Sequence, residues 1–211
     1  MVIRLRGLAS RVAAGRAGAS VPDDETQRLF HFSEESDIAR FEPRPSDFTD
    51  APVVWTIHEA FEHQYLFPRG CPRVMYSSLP DSDPDAVDRY LGDGSAHTVV
   101  AIESAWLDKM QRTRLYRYTM PRETFAPLDQ YDGADIARSW VSADAVEPLR
   151  VDAIDDLLGA LARKGVEIRI LPSLWRLRDR ILESGLPFSF IRMRNALPRP
   201  EGPGGDARSD P

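Results

Sequence analysis

Five residues in the first third of the sequence are of types that bind nucleotides. His31 can hydrogen-bond a ribose hydroxyl, and the backbone beside it can pair with an amide such as that of nicotinamide. Trp55 and Tyr65 offer aromatic faces on which a flat heterocycle can stack. Arg44 can pair with a phosphate group, and Ser33 adds a hydroxyl two positions after His31. Together these residues predict a nucleotide pocket that lacks a glycine-rich loop.

Other chemistries lack their usual residue patterns. A zinc-protease helix carries two histidines at i and i+4, whereas His58 and His63 are five residues apart and so are rotated by about 140° at 3.6 residues per turn. Cys71 is the only cysteine, which excludes an internal disulfide and a cysteine-rich zinc site, and we expect it to be a turn cysteine. No GxSxG, GxGxxG or phosphate-loop pattern occurs. We therefore predict no bound metal.

Each candidate residue also has a structural interpretation. A histidine on a half-buried strand, such as His31, is more often a hydrogen-bonded structural residue than a ligand. Trp55 and Tyr65 are of the types that fill cores, and an arginine in a loop, such as Arg44, is usually solvated. The residue types alone leave both interpretations open.

The composition is that of a folded chain without a strongly basic face. The 211 residues include 27 Lys+Arg and 33 Asp+Glu, which gives a formal charge of −6. This balance excludes a generic basic nucleic-acid binder, and no apolar run approaches the ~20 residues of a membrane span. The hydrophobic share of 42% excludes a fully disordered chain. We expect a cytoplasmic, bacterial protein that binds neither membrane nor nucleic acid.

Short apolar runs and short helical patterns alternate along the body of the chain. Helix caps and helical spacing predict helices over His58–Phe67, from Asp83 to Leu91, over Ser104–Gln111, from Asp152 to Gly165, and over Leu174–Leu182. Runs rich in β-branched and aromatic residues predict strands over Leu29–Ser33, Val53–Ile57, Arg73–Ser77, Thr98–Ile102, Leu115–Met120, Trp140–Ser142, Ala145–Val151, Val166–Leu171 and Ser189–Arg194.

This order predicts an α+β fold with mixed, largely antiparallel sheets, short helices and a C-terminal helix-strand-helix addition. We expect one domain over residues 26–196. Residues 1–25 are expected to be a leader or a disordered extension, because the first 22 carry four arginines and no acid. Residues 197–211 are rich in proline, glycine and charge, and we expect a disordered tail.

The order of elements resembles the ADP-ribosyltransferase-like fold, in the branch with a His–Tyr–Glu style of site. An early strand of that family reads roughly Leu-Tyr-His-Gly-Thr, and Leu29–Ser33 here reads Leu-Phe-His-Phe-Ser. The second strand, roughly Ile-Tyr-Phe-Ala before a helix with a stacking tyrosine, is similar to Val53–Thr56 and Tyr65. A late strand of the family resembles Trp140–Ser142, and the segment that follows it in the family resembles Val146–Leu149. The chain is also similar to an uncharacterised bacterial family with the signature LFHFSE…FEPRP.

The resemblance covers about Leu29–Leu149 and implies NAD as cofactor. It implies that His31 binds the NAD ribose, that Tyr65 stacks on nicotinamide, and that Trp55 takes the place of the tyrosine of the second strand. Two positions depart from the family pattern. Phe32 stands where the family has glycine, and Ser139 stands where the late strand opens with the catalytic glutamate.

Three functions are compatible with these observations. The first is an ADP-ribosyltransferase-like domain that binds NAD or a related nucleotide and whose catalysis has diverged, since neither Glu123 nor Glu147 occupies the motif position. The second is a non-enzymatic ligand-binding or protein-interaction module on the same scaffold. The third is an RNA-end-processing enzyme of the related phosphotransferase type; the charge of −10 over residues 23–211 argues against its basic cleft.

Overall fold

A computed structural model describes residues 28–46, 48–92, 94–128 and 139–200. The predicted leader and the part of the predicted tail from residue 201 onward lie outside the described residues. The strands formed within the described residues are β1 (Leu29–Ser33), β2 (Val54–His58), β3 (Arg73–Ser77), β4 (Thr98–Glu103), β5 (Leu115–Met120), β6 (Ala126–Pro127), β7 (Ser139–Ser142), β8 (Arg150–Ile154), β9 (Val166–Leu171) and β10 (Phe188–Ile191).

The helices are short, as the frequent prolines and glycines predict. Single 3₁₀ turns or short 3₁₀ helices cover Glu59–Tyr65, Ser104–Trp106, Arg122–Thr124 and Met193–Asn195. The α-helices of the described residues are α1 (Pro84–Leu91), α2 (Leu107–Arg112), α3 (Leu157–Arg163) and α4 (Trp175–Leu182). Within the described part of the chain, no helix has the length and apolar character needed to span a membrane.

The chain divides into two compact units. The first unit comprises residues up to Leu66 together with Arg114–Asp155, and the second comprises Phe67–Thr113 together with residues from Asp156 onward. The single domain expected over residues 26–196 stays a prediction, and each unit is described by itself.

The first unit is a six-stranded antiparallel sheet with the order β6-β7-β2-β1-β5-β8. β1 lies near its centre: Phe30 is opposite Ile57 of β2, and His31 is opposite Tyr118 of β5. One face of the sheet, the Leu29 face, carries the core of this unit. Its buried residues are Leu29, Phe41, Val54, Tyr118, Met120, Phe125, Trp140 and Val146.

The second unit is a four-stranded sheet with the order β10-β3-β4-β9. β4 and β9 run parallel, whereas β3 is antiparallel to both of its neighbours. The predicted helix-strand-helix addition is present as α3, β9 and α4. The buried core comprises Val74, Tyr76, Ala86, Leu91, Val99, Ala101, Leu174, Ile181 and Leu186.

The predicted α+β class with largely antiparallel sheets is confirmed. Strands β1, β3, β5 and β9 have the predicted bounds. α1 begins after its N-cap Asp83, whose side chain accepts from the N–H of Asp85, and it ends at Gly92, where φ is 69°. These are the elements with the strongest local signals, a cap or a clean alternation.

The predicted boundaries between residues 145 and 165 are wrong. Val146 forms only an isolated bridge with Phe41, and the strand begins at Arg150. Asp152, the predicted helix cap, lies within β8 instead, opposite Arg117. The true cap is Asp156, whose Oδ1 accepts from the N–H of Gly159 at 2.8 Å. Because β8 pairs with β5, the helix begins about one turn later in the sequence than predicted.

The last predicted strand, Ser189–Arg194, ends early. β10 runs only from Phe188 to Ile191, and Arg192 then adopts φ 53° and ψ 29°. This left-handed conformation breaks the strand and starts the 3₁₀ turn Met193–Asn195.

Candidate functional site

His31 lies where β1 and β2 separate. The ladder between these strands pairs Leu29 with His58 and Phe30 with Ile57, and no pair follows. At the next position, Nδ1 of His31 lies 2.8 Å from the carbonyl oxygen of Trp55. A carbonyl only accepts hydrogen bonds, so Nδ1 carries the proton, and the neutral ring keeps its lone pair on Nε2. Neutral His31 is therefore fixed as an acceptor at Nε2.

The surroundings of His31 keep the imidazole neutral. Its ring centroid is 4.6 Å from that of Phe41, which in turn packs edge-on against Tyr118 at 5.0 Å. Burial lowers the pKa of His31 below 6.5; the hydrogen bond with Trp55 acts in the opposite direction, and the positive charge of Arg44 adds to the lowering. The net lowering means that His31 is uncharged at neutral pH.

Trp55 and Tyr65 lie on the face of the sheet opposite the Leu29 face. Ile57 is opposite Phe30, and the alternation of a strand directs Trp55 to the same side as Ile57, and Phe32 to the same side as Phe30. The ring of Tyr65 stacks on Phe32, with centroids 6.2 Å apart and planes at 19°. We call Phe32, Phe48, Trp55 and Tyr65 the aromatic surface.

Phe48 completes the aromatic surface and is its most exposed ring. It meets Trp55 edge-on at 6.3 Å, and 50% of its surface is exposed, compared with 43% for Tyr65. An antiparallel bridge between Arg44 and Val53 lays this loop beside β2. Stacked or edge-on aromatic rings at a partly exposed surface suit a planar, hydrophobic ligand group.

The five residues predicted from the sequence are brought together in two parts. Trp55 and Tyr65 share the aromatic surface. The side chain of His31 lies on the Leu29 face, and its ring contacts Trp55 only at the backbone carbonyl of Trp55. Arg44 is exposed and close enough to His31 to act on its charge. Ser33 is used locally, because its Oγ accepts from the N–H of Glu35 at 3.1 Å.

Two members of the aromatic surface were missed by sequence reasoning. Phe32 entered the sequence analysis only as a departure from the glycine of the family pattern, although its alternation with His31 already puts it on the opposite side of the strand. Phe48 lies in a segment rich in proline and aspartate and gives no periodic signal. Its position depends on the bridge between Arg44 and Val53, which no local pattern predicts.

The carboxylates on the aromatic face of the sheet are held by an arginine. Arg117, directly opposite Phe32, lies 4.6 Å from the Phe30 ring centroid and pairs with Glu62 at 3.1 Å and Asp152 at 3.3 Å. Burial raises the pKa of Asp152, but the hydrogen bonds and charges of Arg150 and Arg117 outweigh it, so this pKa lies below its ordinary value. Both acids therefore serve as ion-pair partners.

The strand that carries the departure from the family pattern is next to β2. β7 begins at Ser139, which is opposite Ile57, and continues with Trp140 opposite Thr56. The three strands with motif resemblance, β1, β2 and β7, are therefore consecutive in one sheet. A serine hydroxyl at this position supplies a hydrogen bond but no negative charge.

Cys71 is not a poised nucleophile. It is fully buried in the second unit, in the turn where its N–H bonds the carbonyl of Pro68 at 3.0 Å. Burial raises the pKa of its thiol to about 11, so the thiolate is scarce at neutral pH. Among the described residues, no group of three or more His, Cys, Asp or Glu side chains could hold a metal ion.

Comparison with known families gives one match, which runs from residue 30 to residue 196 and spans strands of both units. The chain belongs to DUF6886, a family of unknown function. No curated protein and no solved structure matches it. For this DUF6886 protein, a functional proposal must therefore come from the geometry of its own residues.

Proposed function

We propose that the first unit of this DUF6886 protein binds NAD or a related nucleotide on an ADP-ribosyltransferase-like scaffold whose catalysis has diverged. The observation that carries the proposal is the aromatic surface. Trp55 and Tyr65, chosen from the sequence as stacking residues, lie on the same side of the sheet, where the exposed Phe48 contacts Trp55 and Phe32 contacts Tyr65. The adjacency of β1, β2 and β7 supports it further.

The roles of the residues follow from their chemistry. The nicotinamide or adenine ring stacks on the aromatic surface, where a π-system gains most from offset or edge contacts. Arg44, exposed beside β2, pairs with a phosphate. His31 lies on the opposite face of the sheet from the stacked ring, so it supports the site indirectly, through the 2.8 Å hydrogen bond between its Nδ1 and the carbonyl oxygen of Trp55. It is a positioning residue in this proposal, in place of the direct ribose contact that the resemblance implies.

Catalysis is the part of the resemblance with the least support. Cleavage of the nicotinamide–ribose bond builds positive charge on the sugar, and a nearby carboxylate stabilises such charge. Ser139 brings none, and Glu62 is held by Arg117 at 3.1 Å. We propose a site that binds the dinucleotide and leaves it intact.

Thermal unfolding with excess ligand tests the proposal. A ligand at 100 times its Kd adds about 2.7 kcal/mol of stability, which for a chain of this size raises Tm by roughly 5–10 °C. NAD should produce such a shift in the wild type, and Tyr65→Ala and Arg44→Gln should reduce it. Leu149→Ala and Arg40→Gln are matched controls, because these residues are also exposed and lie outside the site. The absence of a shift with NAD, ADP-ribose and nicotinamide would refute the proposal.

A second candidate is a non-enzymatic protein-interaction module on the same scaffold. The serine at position 139 and the large exposed fraction of Phe48 favour it, since an exposed aromatic ring is also a common anchor of protein interfaces. The two candidates differ in the melting experiment. An interaction module gives no shift with any of the three ligands, although Phe48→Ala still alters self-association or partner binding.

A further inference from the structure

The end of the described chain is bound to the second unit through its backbone. Leu197 donates its N–H to both oxygens of Glu103, at 2.9 and 3.2 Å, and its carbonyl accepts from the indole N–H of Trp175 at 2.7 Å. Its side chain remains 45% exposed. Residues 197–200, which we call the strap, fall in the segment predicted to be disordered, and two side chains of the unit bind both backbone groups of Leu197.

Glu103 is a buried carboxylate that depends on the strap. It is 1% exposed and follows the last apolar residue of β4. Its only other hydrogen bond in the described structure comes from the N–H of Leu174 at 3.4 Å, just before α4. A buried carboxylate is costly unless N–H donors surround it. When the strap leaves, Glu103 becomes an acceptor that favours another backbone N–H.

The arginine of the strap is bound by the same helix that supplies Trp175. Arg199 pairs with Asp179, one turn further along α4, and its guanidinium lies 5.5 Å from the centroid of the Trp175 ring. An arginine between a carboxylate and an aromatic face is recognised by both charge and shape. Glu103, Trp175 and Asp179, which we call the groove, thus bind a backbone N–H, a backbone carbonyl and an arginine, respectively.

The sequence of the strap fixes its conformation. It reads Leu197-Pro198-Arg199-Pro200, and a residue before proline is restricted to extended or polyproline II geometry. Ala196, which leads into it, has φ −68° and ψ 158°, close to polyproline II. Such a segment loses little entropy on binding, and its recognition by an aromatic-lined groove is a recurring mode of peptide binding.

We propose that Glu103, Trp175 and Asp179 form a recognition site for an extended Pro-Arg-Pro peptide, and that the strap occupies this site in the free protein. The partner is a segment with a backbone N–H two residues before an arginine that is flanked by prolines. Since these three residues belong to the second unit, the proposal is independent of nucleotide binding by the first.

The test disables the strap and offers the same segment in trans. In the full chain, Leu197→Pro removes the N–H that donates to Glu103. Arg199→Ala removes one of the two arginines that pair with Asp179, the other being Arg178 of α4. Neither change alters Glu103, Trp175 or Asp179 itself. The probe is a fluorescein-labelled peptide, Ac-Ala-Leu-Pro-Arg-Pro-NH₂, followed by anisotropy. The double variant should bind it at least ten-fold more tightly than the wild type, because the tethered competitor has been removed.

Groove variants and controls complete the test. In the strap-disabled chain, Trp175→Phe, which keeps the ring but loses the N–H, and Asp179→Asn should each weaken binding at least five-fold. A peptide with glutamine in place of arginine should bind at least ten-fold more weakly. Arg194→Ala, at an exposed arginine of the neighbouring 3₁₀ turn, should change nothing. A folded strap-disabled chain that binds the peptide no better than the wild type overturns the proposal.

Hydrogen exchange in the wild type keeps the proposal testable if the strap-disabled chain fails to fold. A strap that exchanges with a peptide must open without global unfolding, so the Leu197 amide should exchange at least ten-fold faster than the amides of β4. Equal protection of Leu197 and β4 would mean that the strap is a permanent part of the core, and the proposal would fail.

Discussion

The two units bury a carboxylate in different ways. In the first unit, Glu62 is 5% exposed and is neutralised by the guanidinium of Arg117, at 3.1 Å. In the second unit, Glu103 is 1% exposed and accepts from backbone N–H groups of Leu197 and Leu174. The charge of Glu62 is thus compensated by a guanidinium from β5, and that of Glu103 by backbone N–H groups just before α4 and in the strap. Changing the first should affect global stability, whereas changing the second should affect the order of a local segment.

The two units also differ in net charge. The described residues of the first unit carry 7 arginines against 12 acids, a net charge of −5, whereas those of the second carry 14 basic residues against 10 acids, a net charge of +4. The overall charge of −6 conceals this division. Neither net charge attracts the proposed ligand, which is an anionic dinucleotide in the first unit and a cationic peptide in the second. Binding in each unit therefore depends on local charges, those of Arg44 in the first unit and of Glu103 and Asp179 in the second.

Removal of Arg117 is the largest expected perturbation. Arg117→Met keeps much of the side-chain volume but leaves Glu62 and Asp152 without their common counter-charge, and breaking a buried pair in this way costs about 3–5 kcal/mol. We expect a loss of about 3 kcal/mol in guanidinium unfolding, since Arg117 itself is 25% exposed. Adding Glu62→Gln should restore part of it. A loss below about 1 kcal/mol would mean that solvent compensates these acids.

Replacement of Glu103 should have a smaller and more local effect. Glu103→Gln retains one acceptor but loses the charge-assisted bonds to Leu197, for an expected cost of about 1–3 kcal/mol. Hydrogen exchange should accelerate at Leu197 before it accelerates in β3 or β4. Uniform acceleration throughout the second unit would contradict the assignment of Glu103 to the strap.

Acid should destabilise the protein through two histidines. Burial lowers the pKa of both His31 and His58 from 6.5. Between each lowered pKa and 6.5 the unfolded chain binds more protons than the folded one, so stability is complete above about pH 6.5 and is lost as the pH falls through the folded pKa. Urea unfolding at pH 7.5 and pH 5.5 should show this decrease. His31→Gln and His58→Asn should each flatten it. An unchanged decrease in both variants would contradict the assignment of the acid sensitivity to these histidines.

The smallest effect is expected at the surface. Arg112 and Asp108 form an i,i+4 pair in α2 at 3.0 Å, and both side chains are more than three-quarters exposed. Arg112→Ala should cost no more than about 0.5 kcal/mol, and that cost should vanish in 1 M salt. A loss as large as that of Arg117→Met would remove the distinction between buried and exposed pairs.

Much of the fold was predictable because its signals are local. The alternation of Leu115–Met120 and the Asp83-Pro84 cap with Gly92 at the end of α1 specify their elements within a few residues. The boundary between β8 and α3 was not predictable, since Asp152 and Asp156 are equally good caps. Pairing with β5, a contact distant in sequence, decides between them.

The site was predictable only as a set of residue types. Trp55 and Tyr65 were predictable because aromatic residues stand out next to an apolar strand, but the opposite orientations of His31 and Trp55 depend on the register of β1 against β2. The strap was missed for a related reason. A proline-rich segment without periodicity predicts disorder, and only its contacts with Glu103 and Trp175 order it.

The indole ¹⁵N–H resonance of Trp55, assigned with Trp55→Phe, tests the central claim most directly. We predict that this resonance shifts saturably as NAD is added, because the nicotinamide or adenine ring stacks on the aromatic surface beside it. The shift should weaken in Tyr65→Ala and persist in Leu149→Ala. A Trp55 resonance that does not respond to millimolar NAD, ADP-ribose or nicotinamide would contradict nucleotide binding at this site.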